Sequence, residues 1–137
     1  MPGAPVPPEV SDAASFQAAS GASDAQMADL ERFRELLAEW NAVMNLVGPS
    51  AMEAFWPRHV WDSAQLLRLE PEAKVWADLG AGAGFPGLVL AIMLKNTPGA
   101  CVHLVESMAK RCRFLEAVVG TLNLPAEVHN ARAEGLS

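Results

Sequence analysis

The sequence is short of positive charge, of cysteine and of long apolar runs, and each shortage excludes a class of protein. Its 10 lysine and arginine residues face 16 acidic ones, and the net charge of −6 has the wrong sign for a chain that holds nucleic acid by electrostatic attraction alone. The two cysteines, Cys101 and Cys112, favour reduced structural thiols over a disulfide or a metal site. We therefore predict no metal centre.

The chain also lacks the features of a membrane or secreted protein. No apolar run approaches the ~20 residues that span a bilayer, and the N-terminus has neither the basic start nor the apolar core of a signal peptide. These absences predict a cytoplasmic chain without membrane contacts. Residues 1–23 hold Pro2, Pro5, Pro7 and Pro8 among Ala, Ser and Gly, with almost no large apolar side chains. Because ordering them would cost entropy without burial in return, we predict a disordered tail over residues 1–23.

What is present beyond residue 23 is typical of a globular chain, since 51% of all residues are hydrophobic. Over residues 24–70, apolar side chains recur every three or four positions, which predicts an amphipathic helix ending near Asn45 and a second helix that Pro57 kinks or restarts. Two capping boxes predict the starts of these helices: Ser23 with Gln26, and Ser50 with Glu53.

Residues 71–137 alternate between strand and helix signals. We predict strands at 74–79, 100–106 and 127–130, with apolar helices at 86–95 and 108–122 between them. Such alternation predicts a parallel sheet with right-handed crossovers, and hence an α/β fold.

The most specific motif is D-L-G-A-G-A-G-F-P-G at residues 78–87, between the first strand and its helix. Its glycines permit positive φ and remove the Cβ atoms that would hold a ligand away, while the new helix presents N–H groups. A dinucleotide fingerprint would place its third glycine at position 85, where the chain has Phe85. The motif therefore predicts a bound ligand, and Phe85 weakens the interpretation that this ligand is a dinucleotide. Asp78 either contributes to that site or only caps the turn.

A second acid stands at the end of the second strand. Glu106 lies 22 residues after Gly84, a position from which a carboxylate can bind ribose hydroxyls. The alternative is a solvated acid at a strand end. We favour the ribose role.

These motifs resemble those of class I S-adenosylmethionine-dependent methyltransferases, and more narrowly those of the RsmG (GidB) family of small-subunit rRNA guanine-N7 methyltransferases. The resemblance covers roughly residues 27–136. The residues that carry it are Asn41, Asn45-Leu46, Arg58-His59, Asp62-Ser63, Gly84-Phe85-Pro86-Gly87-Leu88, Glu106-Ser107, Lys110-Arg111, Phe114-Leu115 and Arg132-Ala133-Glu134.

The resemblance implies a Rossmann-like α/β fold, S-adenosylmethionine as cofactor, and 16S rRNA or the small ribosomal subunit as partner. It demands no general base, because guanine N7 carries a lone pair and no proton, and the catalytic residues stay unassigned. The enzyme's task is to align the reactants and to stabilise the charge that moves onto the purine. The implied cofactor residues are Asp78, Gly80, Gly82, Gly84, Phe85, Glu106, Ala133 and Glu134. The implied substrate residues are Arg58, His59, Lys110 and Arg111, which on sequence alone also suit an ordinary solvated helix surface.

The family's sheet is larger than the three strands predicted here, with an expected order of 3-2-1-4-5. We therefore expect that residues 71–137 form the first half of the cofactor domain and that the chain is a fragment. Three alternatives stay open: a methyltransferase for another substrate, a nicotinamide dehydrogenase, and an inactive remnant that only binds partners.

Overall fold

The computed structural model of the protein describes residues 9–132, in which helices pack on one face of a three-stranded sheet. No helix within this range is long and apolar enough to cross a membrane. The helices are α1 (Ala13–Ser20), α2 (Asp24–Met44), α3 (Pro49–Glu53), α4 (Trp61–Leu69), α5 (Gly87–Met93) and α6 (Ala109–Leu122), with a π-helical turn at Phe55–Val60 between α3 and α4. The strands are β1 (Val75–Leu79), β2 (Cys101–Glu106) and β3 (Ala126–Asn130).

The sheet has the predicted direction and order. All its strands are parallel, and β2 lies between β1 and β3, as in the 3-2-1 half of the expected arrangement. His103 of β2 pairs with Ala77 on one side and with Glu127 on the other. Parallel pairing places the carboxyl ends of the strands at one edge, and that edge holds the glycine loop and Glu106. The α/β prediction is confirmed.

The start of the described chain corrects the sequence analysis. The prediction of a disordered tail is wrong for residues 13–20, which form α1 behind a capping box between Asp12 and Ser15. The reason is Phe16, which is fully buried and whose ring centroid lies 5.7 Å from that of Trp56 and 6.1 Å from that of Trp61. One aromatic anchor thus supplies the burial that the composition of the segment did not suggest. Residues 1–8 lie outside the described range.

The longest helix follows its sequence signals closely. The Ser23 hydroxyl accepts the Gln26 N–H at 3.1 Å, and the Gln26 side chain accepts the Ser23 N–H at 2.8 Å, which completes the predicted capping box. Asn45, in the left-handed region with φ of 56°, ends α2 where the pattern placed it. The apolar face of α2 is buried in the core through Leu30, Phe33, Leu36 and Leu37.

The second predicted capping box is wrong. α3 begins at Pro49 behind Gly48, without a side-chain cap, because proline at the first helical position already has the required φ and lacks an N–H to satisfy. The expected disturbance at Pro57 is confirmed, since the helix there widens into the π-helical turn before α4 restarts at Trp61.

The two faces of the sheet differ in cover. On one face, Val102 and Leu104 are fully buried beneath α5 and α6. On the other face, Val75 of β1 is 63% exposed and Leu79 is 60% exposed. Cys101 and His103, which alternate with the buried residues of β2, also lie on this more open face.

Candidate functional site

The glycine loop uses its glycines in two different ways. Gly80 and Gly84 have φ of +87° and +99°, a region that other residues rarely adopt. A Cβ atom added at Gly84 would overlap the side chain of Leu88, and one added at Gly87 would overlap Leu104 and Asp78. A Cβ atom added at Gly80 would meet nothing within 4 Å. Gly84 and Gly87 therefore serve internal packing, whereas Gly80 faces open space.

The backbone of the loop is tied to the end of β2. The N–H groups of Gly80 and Ala81 both donate to the carbonyl of Val105, at 2.8 and 3.0 Å. Gly84 closes a turn by donating to the Ala81 carbonyl at 2.8 Å. The first N–H groups of α5 are also engaged, because Gly87 donates to Asp78 and Leu88 to Gly84. These N–H groups are thus engaged within the protein, whereas the sequence suggested free donors for a ligand.

Asp78, at the end of β1, caps the helix that follows the loop. Its Oδ2 accepts the Gly87 N–H at 2.9 Å, which places a carboxylate at the positive end of α5. Burial raises the pKa of Asp78 above its usual value, the Gly87 hydrogen bond opposes the rise, and the negative charge of Glu106 adds to it. The turn-capping alternative therefore describes what this side chain does within the protein, and its contact with a cofactor stays a prediction.

Glu106 joins three elements at the end of β2. Its Oε1 accepts the N–H of Gly82 and its Oε2 accepts the N–H of Met108, both at 2.9 Å, which links the glycine loop to the start of α6. The residue is only 4% exposed. Since each carboxylate oxygen can accept two hydrogen bonds, each retains capacity for one ligand hydroxyl.

A cavity of about 380 Å³ lies at the carboxyl ends of the three strands, where open α/β sheets bind their ligands. Gly80 and Glu106, two of the predicted cofactor residues, lie in its wall. Sequence reasoning gave no site role to Ser107, Ala131 or Arg132, although each lies within two residues after a strand end and could have been found by that rule. The full lining is Leu79, Gly80, Val105, Glu106, Ser107, Ala131 and Arg132.

Phe85 lies beside a second cavity, of about 270 Å³, on the other side of the loop. There the His59 ring stacks on the Phe85 ring with centroids 4.7 Å apart. Arg58 and His59, two of the predicted substrate residues, thus come together with Phe85. The lining is Arg58, His59, Asp62, Ser63, Leu66, Phe85 and Pro86.

The predicted residues Lys110, Arg111, Ala133 and Glu134 are not among the described residues that line these cavities. Lys110 donates from Nζ to the carbonyl of Met44 at 3.3 Å, so it satisfies the C-terminal end of α2. Neither Lys110 nor Arg111 lines the two cavities described above. Ala133 and Glu134, predicted to flank the adenine, lie outside the described residues.

Comparisons with known proteins point to one family. The GidB family model, described as rRNA small subunit methyltransferase G, matches residues 26–137. The chain is 66% identical over 122 residues to Ribosomal RNA small subunit methyltransferase G of Caulobacter sp. strain K31, covering 89% of the chain and 55% of that relative. It is 66% identical over 130 residues to the protein of the same name from Caulobacter vibrioides, covering 95% of the chain and 60% of the relative. The chain spans little more than half the length of these curated relatives.

The capping carboxylate predicts a pH effect on stability. Because the pKa of Asp78 is raised in the folded protein, the folded state holds this proton to a higher pH than the unfolded chain does. The protonated form therefore stabilises the folded state. This stabilisation is fully present at a pH below 3.8, the pKa of Asp78 in the unfolded chain, and is lost as the pH rises through the pKa of Asp78 in the folded protein. Asp78→Asn cannot ionise and keeps an oxygen for the Gly87 N–H. Its free energy of unfolding, relative to the wild type, should therefore increase with pH across this window in denaturant titrations; a flat or falling difference would contradict the assignment.

Proposed function

The chain belongs to the GidB family of rRNA small subunit methyltransferases, and from this membership we propose that the protein transfers a methyl group from S-adenosylmethionine to N7 of a guanine in 16S rRNA. The observation that carries the proposal is the pairing of an open Gly80 with a buried, hydrogen-bonded Glu106 in one cavity wall. A cytoplasmic location follows from the proposal, because the partner is the small ribosomal subunit or its 16S rRNA.

The residues present fit the cofactor. Gly80 leaves space where a Cβ atom would stand, and Glu106 has unused acceptor capacity for the two ribose hydroxyls. Ala133 and Glu134 directly follow Arg132, which lines the same cavity, and we assign the adenine to them. When bound, S-adenosylmethionine supplies an electrophilic methyl group on a positively charged sulfur. The chain's own part is to hold that group in place, with Asp78 and Glu106 fixing the loop that frames it.

The proposed reaction needs no general base from the protein. Guanine N7 attacks with a lone pair and loses no proton, so the protein contributes alignment of the nucleophile and stabilisation of the charge that moves onto the purine. We assign RNA contacts to Arg58 and His59, which line the cavity beside Phe85. Arg58 and Arg132 supply local positive charge on a chain whose net charge is −6. Lys110 and Arg111 stay weaker candidates, because the Lys110 ammonium already satisfies the end of α2.

The activity test uses the complete gene product that carries this sequence, because the chain spans about three fifths of a Caulobacter vibrioides relative. Incubation with isotope-labelled S-adenosylmethionine should label small ribosomal subunits and leave large subunits unlabelled. Digestion of the labelled 16S rRNA should release the label as 7-methylguanosine. Label in another methylated nucleoside would show that the substrate assignment is wrong, and label on the large subunit would show that the partner is wrong.

The open space at Gly80 gives a test of the cofactor position. Gly80→Ala places a Cβ atom in the cavity, and should weaken S-adenosylmethionine binding by about tenfold or more, measured by calorimetry. Gly21→Ala is the matched control, because Gly21 also has a positive φ, of +74°, and nothing within 4 Å of an added Cβ atom. Both variants should lose a similar stability of about 1–2 kcal/mol from left-handed strain. Equal cofactor affinity in the two variants would place the ligand elsewhere.

We assign two roles to Glu106, support of the glycine loop and contact with the ribose, and one experiment can separate them. The wild type should bind S-adenosylmethionine about tenfold or more tightly than its 2′,3′-dideoxy analogue, since the analogue lacks the hydroxyls that the carboxylate accepts. Glu106→Gln disturbs the hydrogen bonds to Gly82 and Met108 and weakens the binding of both ligands. If the carboxylate contacts the ribose, the variant should also lose most of the discrimination between them. Unchanged discrimination would show that Glu106 only supports the loop.

A further inference from the structure

Four side chains that can bind a metal lie together on the more open face of the sheet. Cys101 and His103 alternate along β2, and Glu127 and His129 alternate along the neighbouring β3. The register brings His103 opposite Glu127, and side chains of paired residues project to the same face. The His103 side chain is 34% exposed and that of Glu127 is 64% exposed, so an ion can reach them from solvent.

The distances between these groups are short. His103 Nε2 lies 3.7 Å from Cys101 Sγ, and His103 Nδ1 lies 3.3 Å from a carboxylate oxygen of Glu127. One donor atom from each of these three residues lies within 4.8 Å of the other two. His129 contacts the ring from another side, with its Nε2 3.0 Å from His103 Nδ1.

We propose that Cys101, His103 and Glu127 bind a divalent transition-metal ion, with Zn²⁺ the ion they fit best, and that His129 orients the His103 ring. Thiolate, imidazole and carboxylate are the donors of protein zinc sites, with bonds of roughly 2.0–2.3 Å. Ligand atoms of one tetrahedral ion lie about 3–4 Å apart. With one donor atom per residue, the three atoms lie within 4.8 Å of one another, so side-chain movements of about 1 Å bring them to bonding positions. Water fills the fourth position. This proposal departs from the sequence prediction of no metal centre, and the titration below decides between the two.

The arrangement around His103 resembles the outer shell of a zinc site. Metal-bound histidines direct their second ring nitrogen to a hydrogen-bond partner, which fixes the tautomer and the ring plane. Here His129 engages Nδ1, and Nε2 is the ring atom that faces the Cys101 thiol. Within residues 9–132, the carboxylate of Glu127 makes its ion-pair contact with the His103 ring.

The ion would join β2 to β3 in the middle of the sheet. His103 lies two residues before Val105 and three before Glu106, which line the cavity at the strand ends. A ligand set from both strands would therefore stabilise the part of the sheet on which that cavity stands. This inference is independent of the proposed function, because none of the three ligands lines the cavity.

Cobalt titration of the metal-stripped 137-residue chain tests the site, because Co²⁺ replaces Zn²⁺ and is coloured. One equivalent should give a thiolate-to-cobalt charge-transfer band and the intense visible bands of tetrahedral coordination, and Zn²⁺ should remove both. Zn²⁺ should also raise the melting temperature, since a ligand that binds the folded state stabilises it. A chain that gives no thiolate band with Co²⁺ overturns the proposal.

Matched variants assign the ligands. Cys101→Ser should abolish the charge-transfer band, whereas Cys112→Ser, which changes the other cysteine, on α6, should keep it. Glu127→Gln changes a side chain that is 64% exposed, and should weaken Zn²⁺ binding by about tenfold or more. A band that persists in Cys101→Ser or disappears in Cys112→Ser would place the ion elsewhere, and Zn²⁺ affinity unchanged by Glu127→Gln would show that the carboxylate is not a ligand.

Discussion

The cavity depends on the Glu106 carboxylate and its two backbone hydrogen bonds. A charge that is only 4% exposed is costly to bury unless it is well hydrogen-bonded, and here the N–H groups of Gly82 and Met108 supply the bonds. The same bonds fix the glycine loop and the start of α6 against the end of β2. A residue that a ligand can use for recognition is therefore also the one that holds the binding surface in shape. The two roles are hard to separate by deletion, because removing the carboxylate releases both sides of the cavity at once.

The glycines of the motif serve two purposes: some allow close internal packing, and one leaves open space at the cavity. Gly84 and Gly87 let the loop and α5 approach Leu88 and Leu104, which closes the strand-to-helix turn. Gly80 alone combines a positive φ with empty space on the cavity side. This division explains why the motif needs more glycines than ligand contact alone would require.

Much of the fold could be predicted because its signals are local. The capping box at Ser23 and the left-handed Asn45 bound α2, and strand periodicity placed β1, β2 and β3 to within about a residue. The alternation of strands and helices then required a parallel sheet. α1 was missed because the burial of Phe16 depends on Trp56 and Trp61, which are distant in sequence. The capping box at Ser50 failed because Pro49 determines the helix start.

The site was predictable only as far as strand ends determine position. Acids at the carboxyl ends of β1 and β2 must lie at one edge of a parallel sheet, which correctly brought Asp78 and Glu106 to the glycine loop. Hydrogen-bond partners depend on side-chain geometry that no spacing rule contains, so the bonds that Glu106 accepts from backbone N–H groups were not foreseen. The capping role of Asp78 was one of two alternatives, and spacing could not decide between them. The cluster around His103 was missed for a related reason: its members are separated along the chain and meet only through the register of β2 with β3. A search for ligands at short spacing cannot find such a cluster, whereas a search over pairs of adjacent parallel strands would.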